Sequence, residues 1–206
     1  ESYQDMASKQ TSNLDLETLL IDTALRLSSH GIWHKISFAE IAGEAGVAIG
    51  EALTLFTSKS EILAAYSDRI DHAMLTGRQP PQKDETIRDQ LFDIVMRRFD
   101  IMNPNKNSIV NIVRDLPNDP IGALSHSLQL RRSIQLMLEA AGSGANKCSG
   151  QMRTNGLVAI YLYVLRVWFE DDSTDLGVTM AALDRGLAGA ERVARVLWDR
   201  SRTSEN

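Results

Sequence analysis

Cysteine is nearly absent from this 206-residue chain, with Cys148 standing alone. That excludes an internal disulfide and any cysteine-rich zinc site. Long apolar runs are missing as well. No stretch approaches the roughly 20 residues needed to span a bilayer, and no signal-peptide pattern opens the chain. The expectation is a soluble, cytoplasmic protein without integral membrane association. Strand-like alternation of apolar and polar residues does not occur, so a β architecture is excluded. Positive charge is also short, with 22 basic residues against 27 acidic ones and a formal net charge of -5. A nucleic-acid-binding domain is ordinarily basic. Between Leu14 and Tyr66 the seven carboxylates of Asp15, Glu17, Asp22, Glu40, Glu44, Glu51 and Glu61 face only three cations, Arg26, Lys35 and Lys59.

Catalytic signatures are lacking too. His30, His34, His72 and His126 show no metal-ligand spacing, and there is neither a G-x-S-x-G elbow nor a phosphate-binding glycine motif. Glu170-Asp171-Asp172 reads as solvated acids at a helix end, and Cys148 as an inert thiol in a small-residue loop. An enzyme is not expected, and no cofactor or metal is called for.

What is present is helical periodicity. Residues 1–13 are polar and read as a flexible arm. Asp15 to Ser29 repeats Leu16, Leu19, Leu20, Thr23 and Leu27 at helical spacing. A helix from Ser58 to Thr76 stops at Gly77, ahead of Pro80 and Pro81, which cannot sit inside a helix. Further helices are predicted over Asp84–Met102, Ser108–Arg114, Asp119–Ala141 and Met152–Phe169, and from Ser173 onward. Gly142 to Gly150 reads as a mobile loop. The helix around Leu157 to Trp168 is apolar on nearly all sides, which predicts burial against several partners. In the last helix Leu176, Met180, Leu183, Leu187, Ala190, Ala194 and Leu197 recur at spacings of 4 and 3. That is a seam suited to another helix.

Ser37 to Lys59 carries the most specific signal. Ser37 and Glu40 form a capping box, and so do Ser58 and Glu61. Between them Gly46 marks a tight turn, since glycine takes a left-handed backbone without steric cost. Helix, glycine turn, helix is the layout of a helix-turn-helix. Ile41-Ala42, Ala45-Gly46-Val47, Gly50, Phe56 and Ser58-Lys59, with Asp22-Thr23-Ala24-Leu25 and Gly31-Ile32-Trp33 upstream, resemble the DNA-binding domain of the TetR family of bacterial repressors.

The resemblance implies an all-α, TetR-like homodimer. A helix-turn-helix domain would occupy residues 14–60, and a helical ligand-binding and dimerisation domain residues 61–201, paired through the last two helices. It implies a ligand-responsive repressor of operator DNA, with Ser37, Ala48, Ile49, Gly50, Thr54 and Lys59 facing the DNA and Lys59 as the strongest phosphate contact. Three positions depart from the pattern. Ala48 lacks a capping hydroxyl, Leu53 stands where the family has a tyrosine, and Glu51 places a carboxylate where phosphate would approach.

Ala159-Ile160-Tyr161, Trp168, Asp172-Ser173-Thr174-Asp175, Thr179, Leu183-Asp184-Arg185 and Ala190-Glu191 carry a second resemblance, over roughly residues 155–192. They are similar to the TetR-fold lipid-binding accessory proteins of coenzyme Q biosynthesis. This implies, as an alternative, an isoprenoid- or lipid-binding protein that no longer reads DNA. Its terminal membrane helix is not expected in the residues that follow Trp198. In either case a small apolar ligand is expected, lined by Met96, Phe99, Met102, Met137, Tyr161, Leu165 and Trp168, because methionine adapts to irregular shapes. Arg97, Arg98, Arg131 and Arg132 are candidates either to meet an anionic head group or simply to face solvent.

Overall fold

The computed structural model describes residues 3–77, 85–143 and 147–203, and every regular element among them is helical. In chain order these are α1 (Tyr3–His30), α2 (Phe38–Glu44), α3 (Ile49–Leu55), α4 (Lys59–Leu75), α5 (Ile87–Met102), α6 (Lys106–Asp115), α7 (Pro120–Ala140), α8 (Lys147–Glu170) and α9 (Gly177–Thr203). Short 3₁₀ turns lie at Trp33–Lys35, Asn103–Asn105 and Leu116–Asn118.

Two of the expected irregular segments are corrected. The expected arm is helical from Tyr3 onward. Met6, Ala7, Lys9 and Gln10 favour helix, and neither glycine nor proline interrupts them. The loop expected from Gly142 is also shorter. Gly142, at φ +74, closes α7 by hydrogen bonds from its own N–H to Glu139 and from the Ser143 N–H to Leu138, and the backbone at Cys148 already belongs to α8. Residues 78–84, which hold Pro80 and Pro81 at the predicted break, lie outside the described residues.

The chain divides into two compact units that are not consecutive. The first combines residues 1–70 with 102–129, and the second combines 71–101 with 130–206. The sequence instead suggests a single division after residue 60.

In the first unit, α1 packs against α2, α3 and α6. Leu20, Ala24, Trp33, Ile41, Ala52 and Ile62 are fully buried there, so Trp33 is core as its size suggests. The α2 capping box forms in both directions. At its other end α2 finishes in a Schellman motif, with Gly46 at φ +68 and the Val47 N–H on the Ala42 carbonyl. The second capping box is only half made. Ser58 accepts from the Glu61 N–H, but the Glu61 carboxylate reaches back to the N–H and hydroxyl of Thr57. α6 lies along the end of α1 and satisfies its last carbonyls. Ser108 donates to Leu25, and Asn111 donates to Ser28 and Ser29.

In the second unit, Ile94, Phe99, Ile134, Met137, Val164, Trp168 and Leu183 are buried at its centre. α8 and α9 pack as a pair, and Gly186 is required because a Cβ there would meet the Ile160 side chain at 2.8 Å. Between them Asp171 is not the solvated acid expected but is 4% exposed. Its carboxylate accepts from Ser173 and from the N–H and hydroxyl of Thr179, and Leu176 turns the chain at φ +52. Burial would raise the Asp171 pKa, but these hydrogen bonds outweigh it and hold it at about 2.

Two patterns resolve differently from expectation. α8 is not buried all round. Thr154, Leu157, Tyr161, Val164 and Trp168 face inward, while Met152, Leu162 and Tyr163 stay exposed. In α9 the periodic seam splits: Leu176, Leu183 and Leu187 pack inside their own unit, whereas Ala190 and Ala194 are exposed. Period alone reports that two faces are apolar; it does not say which partner each one meets.

Candidate nucleic-acid interface and interior site

α3 stands out from the first unit with one small anchor. Ala52 is buried and Phe56 closes the helix, while Ala48, Ile49, Gly50, Glu51, Leu53 and Thr54 are all exposed. Ala48 supplies no side-chain cap. Glu51 sits in the first turn, where the helix dipole favours a carboxylate. That gives Glu51 a structural reason to be there, at the cost of a negative charge on the exposed helix. The Thr54 hydroxyl donates to the Glu51 carbonyl at 2.7 Å. Ser37 is exposed, with its oxygen engaged by the Glu40 N–H at 3.1 Å.

Lys59 does something else. Its ammonium donates to the carbonyls of Trp33 at 2.9 Å, Ile36 at 3.1 Å and His34 at 3.3 Å. It also lies 4.9 Å from the centroid of the Trp33 ring. An ammonium has three protons to donate, and all have acceptors inside the protein. Burial lowers the Lys59 pKa, with Asp119 and Asp115 opposing. The expected phosphate contact is thus a clasp on the Trp33–Lys35 turn. Lys35, beside Ser37, is exposed instead.

The same turn is held from its other side by Asp115 at the end of α6. The carboxylate accepts from the His34 backbone N–H, meets His34 Nδ1 at 2.6 Å and accepts from Asn118 at 2.9 Å. Burial works to raise the Asp115 pKa, but the hydrogen bonds from Asn118 and His34 and the His34 charge outweigh it and hold the pKa at about 2. A carboxyl depressed in the folded state stabilises above its unfolded pKa and stops doing so as it is protonated. Unfolding of the first unit is therefore expected to become easier as pH falls from 3.8, the ordinary value, toward about 2. Acid titration of Asp115→Asn, followed by circular dichroism, should lack that part of the pH dependence.

The interior of the second unit contains a buried polar cluster. Arg98 of α5 pairs with Asp71 of α4, both side chains being 5% exposed. Arg98 Nε donates to the Tyr161 hydroxyl at 3.1 Å, and the Ser133 hydroxyl donates to Asp71 Oδ2 at 2.6 Å. Phe99 stacks on Tyr161 at 5.4 Å and is tilted against Trp168 at 5.5 Å.

No protein-family model and no curated protein matches this sequence. Solved structures do. A TetR transcriptional regulator from Nitrosomonas europaea ATCC 19718 is 22% identical, with 86% of this chain and 98% of that one covered at a TM-score of 0.69. A TetR transcriptional regulator from Rhodococcus sp. RHA1 is 17% identical over 87% of this chain and 96% of its own, at 0.62. The chain has the TetR fold.

Both of those structures are of TetR transcriptional regulators. The likeness of residues 155–192 to the coenzyme Q accessory proteins is not confirmed by these matches. Among the described residues, no helix is long and apolar enough to cross a membrane. Within the TetR fold the expected ligand residues are all buried. Met96, Phe99, Met137, Tyr161, Leu165 and Trp168 belong to the second unit, whereas Met102 falls in the first. Of the four arginines suggested for a head group, Arg98 is buried, Arg97 donates to the Thr76 carbonyl and Arg131 to Asn155. The sequence reading misses Asp71, Ser133 and Asp115. Each partners a residue at least 27 positions away, beyond the reach of any local pattern.

Proposed function

We propose that this protein is a one-component transcriptional regulator, a homodimer that grips operator DNA through α3 and changes that grip when a ligand enters the second unit. The observation that carries this reading is the exposed α3, with Ile49, Gly50, Leu53 and Thr54 turned outward. It is set on a frame fixed by the Ser37–Glu40 capping box and the Gly46 turn. In a helix-turn-helix dimer the second helix enters the major groove, and the two copies sit about 34 Å apart along the duplex. A ligand acts by favouring one separation of the recognition helices over another. Dimerisation is supported by the outer faces of α8 and α9. Met152, Gly156, Ala159 and Tyr163 on one helix, and Val178 and Ala181 on the other, are exposed among the described residues and form an apolar, small-residue surface.

The DNA contacts on this reading are Ser37, Ala48, Ile49, Gly50 and Thr54, with the exposed Lys35, in place of Lys59, in the phosphate role. Titration of the protein against genomic fragments at two salt concentrations tests it. Sequence-selective, salt-sensitive retention by a dimer is the expected result. Lys35→Ala should weaken binding to all sequences alike and reduce the slope of log K against log salt by about 1. A specific observation favours the second reading, a lipid-binding protein that has lost its operator: the exposed Glu51 opposes phosphate, the usual main source of DNA affinity. Absence of retention at low salt would decide for it.

A further inference from the structure

The Arg98–Asp71 pair is not explained by packing. Both groups are 4% exposed, and burying such a pair is on balance neutral for stability when compared with apolar side chains of the same volume. Tyr161, Phe99 and Trp168 form an aromatic wall beside the guanidinium. A guanidinium is a planar fork that matches a carboxylate in two prongs. Here Nη1 donates to Asp71, and Nε donates to the hydroxyl of Tyr161. Asp71 also has Ser133 as a second partner, which remains if Arg98 is taken from it. One more polar group shares the buried side of α5. Gln90 is 5% exposed and its Oε1 accepts no hydrogen bond, an arrangement that costs stability unless something donates to it. Eight residues of helix separate Gln90 from Arg98, about 12 Å.

We propose that the ligand of the second unit is an apolar carboxylate of medium chain length. Its carboxylate replaces Asp71 on Arg98, its chain lies against the aromatic wall, and a hydroxyl at its far end donates to Gln90. The inference rests on the ligand-responsive reading above and names the chemistry of that ligand. The cluster offers a cation to an incoming anion, which neither a neutral alcohol nor an organic cation can use.

The test is calorimetric titration with decanoate, 10-hydroxydecanoate, decanol and decyltrimethylammonium, each below its micellar concentration. Decanoate is expected to bind at least about tenfold more tightly than decanol, as one lost charge-assisted contact implies, and the ammonium not at all. Arg98→Met should bring decanoate down to the affinity of decanol. Asp71→Asn, which removes the resident competitor, should tighten decanoate. Gln90→Leu should abolish any preference for 10-hydroxydecanoate over decanoate. If Arg98→Met does not fold, the pair Arg98→Met with Asp71→Leu removes both charges together and takes its place. Equal binding of decanoate and decanol, an unchanged decanoate affinity without Arg98, or no binding at all overturns the proposal. The DNA titration is read separately. Retention of DNA without decanoate binding refutes the ligand and leaves the regulator. Decanoate binding without DNA retention supports the ligand and refutes the regulator.

Discussion

Asp71→Asn is expected to lower the unfolding free energy by about 3–5 kcal/mol, the usual result of removing one member of a buried ion pair. The substitution keeps the shape and removes the charge, so Arg98 stays in the interior without the carboxylate it pairs with. Ser133 keeps an oxygen to bond, and Tyr161 keeps its contact with Nε, so the loss is electrostatic. For a chain of this size the thermal midpoint should fall by about 10 °C. Denaturation followed by circular dichroism, at neutral pH and moderate salt, reads the effect directly. Because the pair is shielded from solvent, added salt should restore little of the loss. Replacing both partners by apolar side chains should come back close to wild type. A midpoint shift under 2 °C for the single change would mean that water reaches the pair.

The second large effect is expected at Lys59. Methionine there keeps the stem and deletes the ammonium, which isolates its three carbonyl contacts and its position over Trp33. Hydrogen bonds from a charged donor contribute more than neutral ones, and orphaned acceptors cost more still. Since the site is partly open to solvent, about 2 kcal/mol is expected for Lys59→Met. DNA titration distinguishes the clasp from a phosphate contact. A clasp that positions the Trp33–Lys35 turn should lower affinity for every fragment while leaving the salt slope where it was. A slope reduced by about 1 would return Lys59 to the DNA backbone and remove the clasp from the account.

The helices were legible because their ends are written locally. Ser37 with Glu40, Gly46, Pro120 at the first position of α7 and Gly142 at its end each act within a few residues. The candidate site was legible only by type. Arg98 could be named as a cation available to a head group, but not its burial against Asp71, because that depends on which helices meet. Lys59 shows the same limit from the other side. Its place in the motif pointed outward, while the carbonyls it satisfies end a turn more than 20 residues upstream. The α9 seam was ambiguous for a third reason: one heptad pattern can serve an intrachain or an interchain neighbour, and the packing of Leu183 and Leu187 shows that this part of it meets its own unit.

The first compact unit draws on residues 102–129 as well as 1–70, and this bears on how the protein is made. Helices α2 and α3 come off the ribosome early, but the side chains that satisfy the end of α1 and hold the Trp33–Lys35 turn, namely Ser108, Asn111 and Asp115, follow some 80 residues later. At about 5–20 residues per second, α2 and α3 wait for several seconds without their supports. A fragment cut after α4 would stay in that condition permanently. The first unit is therefore not expected to fold as a free-standing fragment of its first four helices, and a grafted version would have to carry α6 with it.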